Sequence, residues 1–218
     1  MNVKQMAIKK GDFIELEYTG ELKDGGVFDT TDEAKAKKAG LYDPGSRYGP
    51  IIICVGEHQL VKGLDEQVIS KEPGEYRFEL APENAFGKKD VKLIQLIPTS
   101  KFTREKINPM PGLQINIDGH YGMIKTVSGG RTLVDFNHPL SGRDVIYQLK
   151  INRIVTDDRE KAEALLKLQF NKKEMKVEMK EGTASANVGV DVPKEILDIM
   201  EKKFKEIIPG LKKLELKK

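Results

Sequence analysis

The fold of this chain is decided by the stretch Gly11-Asp12-Phe13-Ile14-Glu15-Leu16-Glu17-Tyr18-Thr19-Gly20. Within it, apolar residues alternate with Glu15 and Glu17, a period of two that is typical of a strand with one buried and one hydrated face. The same alternation returns at residues 75–80 and, far downstream, at 145–151. The three segments predict strands of one antiparallel sheet.

Two segments between these strands complete the predicted fold. Residues 51–55 are continuously apolar and predict a buried strand, and residues 59–70 carry apolar side chains at helical spacing. Residues 32–50 contain Pro44-Gly45 and Gly49-Pro50 and predict a surface excursion with one helical turn. Several short strands with one short helix indicate an α+β domain, in which an antiparallel sheet packs on the helix.

Residues 88–133 differ in their sequence pattern from the segments on either side. Short apolar runs are separated by the turn signals Asp118-Gly119 and Ser128-Gly129-Gly130, which predicts a small β-rich unit. A unit of about fifty residues is marginally stable alone. We therefore expect both of its ends to be anchored in a larger host domain.

The C-terminal segment, residues 156–218, predicts an α/β unit. Two amphipathic helices are expected, at Lys161–Phe170 and Lys194–Ile208, with short strands near 175–179 and 214–216. The apolar stripe of these helices consists of Leu165, Leu168, Phe170, Ile196, Met200, Phe204 and Ile207. A segment of this length supplies only a small hydrophobic core, so part of the stripe would remain exposed in a lone chain. Docking on the first sheet or self-association would bury it. We predict self-association, which makes this segment a homodimer interface.

Composition limits the classes of partner. Lys+Arg number 37 and Asp+Glu 34, interleaved along the chain, which predicts no nucleic-acid partner. No apolar run approaches the roughly 20 residues of a membrane span, and Met1–Lys10 has no apolar signal core, so a cytoplasmic protein without a membrane partner is expected. The single cysteine, Cys54, and three widely spaced histidines predict neither a disulfide nor a metal site. No cofactor is predicted.

Several short motifs follow the opening stretch within the first 87 residues: Asp24-Gly25, Val27-Phe28-Asp29-Thr30, Val55-Gly56, Leu60-Val61-Lys62-Gly63-Leu64-Asp65 and Leu80-Ala81-Pro82-Glu83-Asn84-Ala85-Phe86-Gly87. Together with the opening stretch, and in the same order, they resemble the motifs of the FKBP-type peptidyl-prolyl cis/trans isomerases. A later string, Val134-Asp135-Phe136-Asn137-His138-Pro139-Leu140-Ser141-Gly142, resembles the re-entry motif of SlyD-like members, which carry an insert-in-flap domain. Bacterial SlyD proteins end in a His/Cys-rich tail, whereas the folded C-terminal extension expected here is closer to the long archaeal FKBPs.

The resemblance implies a discontinuous organisation. An isomerase domain would comprise residues 1–87 and 134–155, with an insert-in-flap chaperone domain at 88–133 and a C-terminal domain at 156–218. It also implies a dry aromatic and aliphatic cup that holds the proline. Its catalytic residues would be Tyr18, Asp29 and Tyr147. Its substrate-binding residues would be Phe28, Ile51, Gln59, Leu60, Val61, Leu64 and Phe86.

Several of these assignments leave alternatives open. Without the resemblance, Phe28, Val61 and Tyr147 are ordinary core residues and Asp29 is a turn or cap residue. Asp29 could bias the twisted amide electrostatically, or it could hold Tyr18 by a hydrogen bond. Two positions depart from common family members: Leu64 stands where many have Trp, and Phe86 replaces Tyr and so lacks a hydroxyl donor.

The insert has many apolar residues for its size. They could fill its own core, or a subset could form an exposed groove for unfolded chains, which the resemblance favours. The groove candidates are Ile94, Leu96, Met110, Leu113, Tyr121 and Met123.

The leading functional interpretation is therefore an enzyme that isomerises X-Pro bonds in unfolded or partly folded polypeptides, with chaperone activity in the insert. A non-catalytic holdase that uses the same frame as a peptide clamp is the first alternative, and an assembly module is the second.

Overall fold

A computed structural model describes residues 7–218. Within them the strands, in chain order, are β1 (Phe13–Leu22), β2 (Val27–Thr30), β3 (Ile51–Cys54), β4 (Gly74–Leu80), β5 (Ile94–Pro98), β6 (Gln114–Ile117), β7 (His120–Ser128), β8 (Arg131–Asp135), β9 (Val145–Val155), β10 (Val177–Lys180), β11 (Thr183–Asn187) and β12 (Lys213–Lys217). The α-helices are α1 (Glu33–Lys38), α2 (Lys62–Gln67), α3 (Thr99–Arg104), α4 (Asp158–Gln169) and α5 (Lys194–Ile207). The chain forms two compact units, Met1–Leu80 with Val145–Lys218, and Ala81–Asp144.

The first unit is built on an antiparallel sheet in the order β2-β1-β9-β4. β1 pairs with β9 along its whole length, from Phe13 opposite Val155 to Leu22 opposite Val145. The other edge of β1 is shared, because β3 pairs with residues 13–16 and β2 with residues 19–21. The alternation in the sequence is confirmed, since the apolar residues of β1 and β9 form most of the buried face.

The helix on this sheet is shorter than the predicted 59–70. It begins at Lys62, after Val61, whose backbone is extended. The loop before it is instead held by the buried carboxylate of Asp65, which accepts from the backbone N–H groups of Gly56 (2.8 Å) and His58 (3.3 Å). Leu64 and Val68 point into the core.

The C-terminal segment belongs to the same compact unit. β10, β11 and β12 form a sheet in which β11 and β12 are parallel and joined through α5. Asp157 caps α4, since its side chain accepts from the backbone N–H of Glu160 at 2.8 Å.

The hydrophobic core of this segment is continuous with the first sheet. One buried cluster contains Phe13 and Cys54 from that sheet together with Leu166, Phe204 and Ile208. Much of the predicted apolar stripe is covered here; Leu165, Met200 and Phe204 are buried, Phe170 and Ile207 are half-buried, and Leu168 and Ile196 are exposed.

The second unit contains an antiparallel sheet in the order β5-β8-β7-β6. Phe102 of α3, Ile115, Ile124 and Val134 form its small core. The helix α3 was not predicted; its residues lack a clear apolar periodicity, and only Phe102 is buried.

The predicted α+β class is confirmed, with mostly antiparallel sheets and few helices. Across residues 7–218, none of the helices combines the length and apolar character that crossing a bilayer requires. The predicted division into three domains stays a prediction, and the two compact units are described separately below.

Candidate functional site

Tyr18 lies at an interruption in the hydrogen bonding of β1. Residues 17 and 18 fall between the part of the edge paired with β3 and the part paired with β2. The backbone of Tyr18 bonds instead to Thr31, whose hydroxyl accepts from its N–H at 2.9 Å and whose own N–H donates to its C=O at 3.0 Å. β2 ends at Thr30, so these two bonds hold the chain against β1 just as it leaves the sheet.

The hydroxyl of Tyr18 is fixed by a carboxylate from the neighbouring strand. It donates to Oδ2 of Asp29 at 2.8 Å. Burial, followed by the negative charge of Asp29, raises the pKa of Tyr18 well above its ordinary value. The hydroxyl therefore stays protonated and remains a donor at any physiological pH.

Two further aromatic rings form a wall with Tyr18. Tyr147 of β9 lies 6.0 Å from the Tyr18 ring, and Phe28 meets Tyr147 edge-on with centroids 5.7 Å apart. Such pairs contribute about 0.5–1.5 kcal/mol beyond the area they bury. Burial, and then the charge of Asp29, raise the pKa of Tyr147 as well.

Gly20 is required for this wall. A Cβ at that position would lie 2.6 Å from the Phe28 ring and 3.1 Å from the Tyr147 ring. Any side chain there would push Phe28 away from Tyr147. The motif Tyr18-Thr19-Gly20 contains this glycine, but the sequence alone gives no reason for it.

A cavity of about 450 Å³ opens beside Tyr18. Several of the predicted site residues line it, namely Tyr18, Phe28, Asp29, Ile51 and Gln59. The other predicted residues of the first unit do not line it. Tyr147 packs against the rings of Tyr18 and Phe28, Leu60 and Val61 are half-buried just before α2, and Leu64 is buried. Oε1 of Gln59 accepts from the backbone N–H of Cys54 at 2.8 Å, which ties this loop to β3.

Phe86 belongs to the second unit. Its ring stacks on His138 with centroids 4.9 Å apart, and the hydroxyl of Ser141 donates to its carbonyl oxygen at 3.0 Å. The stacking joins two of the motifs quoted above. Its predicted place in the cup stays a prediction.

The groove candidates in the insert differ in exposure. Tyr121 is 77% exposed and Leu96 and Met110 are each 53% exposed, whereas Ile94, Leu113 and Met123 are half-buried. Tyr121 and Met123 also line a cavity of about 250 Å³ in this unit.

One wall of the cavity beside Tyr18 was not predicted from the sequence. Tyr48 and Ile53 line it, as do residues from the end of α4 and the turn that follows, Lys167, Leu168, Asn171, Lys172 and Lys173. No local pattern marks these residues, because only tertiary packing brings them next to β1 and β2.

The arrangement suits non-covalent chemistry. Aromatic and aliphatic side chains form part of the cavity lining, together with one oriented hydroxyl, one carboxylate and several basic side chains. Over the described range 7–218, His, Cys, Asp and Glu do not gather into a group of three or more that could hold a metal ion.

Comparisons with known proteins agree on one family. The family model for FKBP-type peptidyl-prolyl cis-trans isomerase matches residues 4–103, and the model for the FKBP26 IF domain matches residues 95–140. A short-type peptidyl-prolyl cis-trans isomerase of Methanocaldococcus jannaschii is 36% identical over 148 residues, which cover 67% of this chain and 94% of that protein.

Two more distant proteins are also similar. The FKBP-type peptidyl-prolyl cis-trans isomerase SlyD of Helicobacter pylori is 26% identical over 69% of this chain and 72% of its own. The crystal structure of the three FKBP domains of wheat FKBP73 aligns with a TM-score of 0.37 and 16% identity, over 70% of this chain and 42% of that one.

Proposed function

The chain belongs to the family of FKBP-type peptidyl-prolyl cis-trans isomerases, and we propose that it accelerates the isomerisation of X-Pro bonds in unfolded or partly folded polypeptides. The observation that carries this proposal is the wall formed by Tyr18, Phe28 and Tyr147, with Asp29 bonded to Tyr18, beside a cavity of about 450 Å³.

The reaction needs no nucleophile. Resonance gives the C–N bond double-bond character and a rotation barrier of about 18–20 kcal/mol, and uncatalysed X-Pro isomerisation takes roughly tens to hundreds of seconds. The planar amide carries more charge on its carbonyl oxygen than the twisted one. A dry surface that removes water from this oxygen therefore stabilises the twisted form relative to the planar form.

In this chain the aromatic wall would hold the proline ring, and Tyr18 and Asp29 would stand at the edge where the carbonyl group lies. The basic test is turnover of a short Ala-Pro or Phe-Pro peptide by the full chain, followed in a protease-coupled assay. Binding of the peptide without turnover would favour the holdase alternative.

A second activity is proposed for the insert, which would bind unfolded chains through Leu96, Met110 and Tyr121. Their exposure supports this, because large apolar side chains that together form an exposed patch mark an interaction site. Met110 adds an adaptable contact, since methionine repacks at low cost.

Removing residues 88–133 should separate the two activities. Lys89 and Asp135 form an ion pair at 3.0 Å, so the cut ends lie close enough for a short Gly-Ser loop. We expect the shortened chain to keep its activity on short peptides and to lose most of its catalysis of proline-limited refolding. An unfolded protein bound to the insert has a raised effective concentration at the isomerase site, and the shortened chain lacks this second binding site.

Point variants sharpen this test. The exposed side chains are replaced by serine in one variant that combines Leu96→Ser, Met110→Ser and Tyr121→Ser. This variant should keep the insert folded but catalyse refolding more slowly than the wild-type chain. Ile69→Ser, at an exposed apolar position outside the insert, serves as the control. Refolding catalysis that survives the deletion would show that client binding lies elsewhere.

The homodimer also stays a proposal. Ile196 and Ile199 are one helical turn apart on α5 and are 47% and 66% exposed. Self-association through this face would let two copies of the chain bind one polypeptide substrate, which would raise the avidity of binding. Sedimentation velocity at tens of micromolar should give a dimer for the full chain and a monomer for Ile199→Lys. A full chain that sediments as a monomer would contradict the proposal.

A cytoplasmic location is proposed as well. It fits the single cysteine, Cys54, which is buried as a free thiol.

A further inference from the structure

The cavity beside Tyr18 has a basic rim that isomerisation itself does not require. Four cationic side chains line it, Arg47, Lys167, Lys172 and Lys173. Arg47 comes from the loop between α1 and β3, and the lysines come from the end of α4 and the turn that follows it. Two segments far apart in the sequence thus place positive charge around one opening.

Contacts within the first unit hold the two sides of this rim together. The ammonium group of Lys173 donates a hydrogen bond to the carbonyl oxygen of Pro44. The backbone N–H of Gly45 and the hydroxyl of Ser46 hold the pKa of Asp43 below its ordinary value, and the charge of Lys173 lowers it further. The C-terminal segment therefore forms part of the cavity wall.

The positive charge of the rim is only partly neutralised. Lys167 is bonded to Glu163 at 2.6 Å. Arg47 and Lys172 form no ion pair with any of residues 7–218, and the one acidic residue among those lining the cavity is Asp29, which accepts from Tyr18. Low-dielectric walls concentrate such an excess of one sign and attract the opposite charge.

A neighbouring cavity shares part of this rim. Arg47, Lys167 and Lys173 line both cavities, and the neighbouring one also contains Arg153 and Arg159. Those two arginines are paired internally, Arg153 with Glu160 at 2.6 Å and Arg159 with Glu163 at 3.2 Å. Lys172 lines the cavity with the aromatic wall and not its neighbour, so both unpaired cations, Arg47 and Lys172, meet at the former.

We propose that Arg47, Lys172 and Lys173 bind an acidic side chain of the client, so that Asp or Glu within a few residues of the proline is a specificity determinant. The inference rests on the proposed isomerase function, since the occupant must reach the rim from a proline held at Tyr18 and Phe28. An extended peptide advances about 3.3–3.6 Å per residue, so side chains flanking the proline can span this cavity.

The test uses blocked peptides that are identical except for one residue beside the X-Pro pair, which is Glu, Gln or Lys. Dissociation constants from NMR titration and kcat/KM from NMR exchange are measured with the full chain at about 20 mM and 500 mM NaCl. We expect the Glu peptide to bind at least about threefold more tightly than the Gln peptide at low salt, and the Lys peptide more weakly. The differences should shrink at high salt, where the screening length is only about 4 Å.

Variants locate the effect. Arg47→Gln with Lys172→Gln should bring the Glu-to-Gln ratio of dissociation constants most of the way to one, and Lys172→Glu should also reduce the preference for the Glu peptide. Lys194→Gln with Lys202→Gln removes the same charge from exposed positions on α5 and should keep the ratio. The proposal is overturned if the wild-type chain binds all three peptides alike, or if the α5 control abolishes the preference equally.

The two proposals fail in different ways. If the chain turns over none of the peptides but still binds the Glu peptide most tightly, the isomerase function is contradicted and the proposal for the basic rim is supported. Turnover of all three peptides at the same rate, with equal affinities, contradicts the rim alone.

Discussion

Replacing Asp29 by alanine should lower kcat/KM for an Ala-Pro peptide by roughly tenfold or more, and replacing Tyr18 by phenylalanine should lower it by less. Asp29 holds the half-buried hydroxyl of Tyr18 at 2.8 Å. A hydrogen bond to a charged group contributes about 1.5–3 kcal/mol, which corresponds to roughly 10- to 150-fold in rate if it acts only in the transition state. Asp29 is exposed, and Tyr18→Phe keeps the half-buried ring, so neither substitution should change the melting temperature by more than a few degrees.

Asp29→Asn distinguishes the two roles considered for this residue. Asparagine keeps an oxygen that can accept from Tyr18 but removes the negative charge. Because the structure shows the bond to Tyr18 directly, we expect the asparagine variant to retain much more activity than the alanine variant. Equal losses in the two variants would assign the effect to charge, and full turnover in both Asp29→Ala and Tyr18→Phe would remove the pair from the site.

The largest loss of stability is expected where the C-terminal segment meets the first sheet. Phe204 is buried in the cluster that contains Phe13 and Cys54, and Lys203 beside it pairs with Glu57 at 2.5 Å. Phe204→Ala should destabilise the fold by about 3–5 kcal/mol through the cavity it leaves. Denaturant unfolding measures this loss, and Lys202→Ala, exposed on the same helix, should change it by no more than about 0.5 kcal/mol.

The thiol of Cys54 reports on the same packing. It is fully buried, and burial is the main cause that raises its pKa to about 12. In the intact chain it should react very slowly with a disulfide reagent at pH 8, because the thiolate is both scarce and inaccessible. A chain that ends at Thr156 should react far faster. Equal reaction rates would mean that the C-terminal helices do not cover Cys54 in solution.

The sequence predicts where the main strands lie, but it does not predict which strands pair with one another. The alternation at residues 14–18, 75–80 and 145–151 identifies β1, β4 and β9, since a half-buried strand repeats every two residues. The α5 helix is predicted within one residue, because its apolar stripe and the preceding Pro193 mark its limits. The α2 helix is shorter than expected, because the side chains of Asp65 and Gln59 accept hydrogen bonds from the backbone of Gly56 and Cys54 and so hold the preceding loop in a non-helical path.

The candidate site shows the same limit. Tyr18, Phe28 and Asp29 are marked by motifs close together in sequence, and the structure brings them to one cavity. No motif identifies the lysines at the end of α4 as site residues, since basic residues at the end of a helix are common. Their position beside the cavity depends on how the C-terminal segment packs. The role of Gly20 is equally hidden, because it depends on the distance to a ring on the next strand.

The central place of β9 in the first sheet governs when this protein can fold during its synthesis. β9 lies between β1 and β4, so the ladder of Phe13 with Val155 cannot form until the whole insert has left the ribosome. The strands of the insert, β5 to β8, pair only among themselves and lie within residues 94–135. Local contacts form faster than distant ones, so the insert should be folded while β1 still waits for its partner. Protease protection of nascent chains arrested at increasing length should therefore appear first for residues 94–135, and a growing chain would carry a folded insert before it has a finished isomerase.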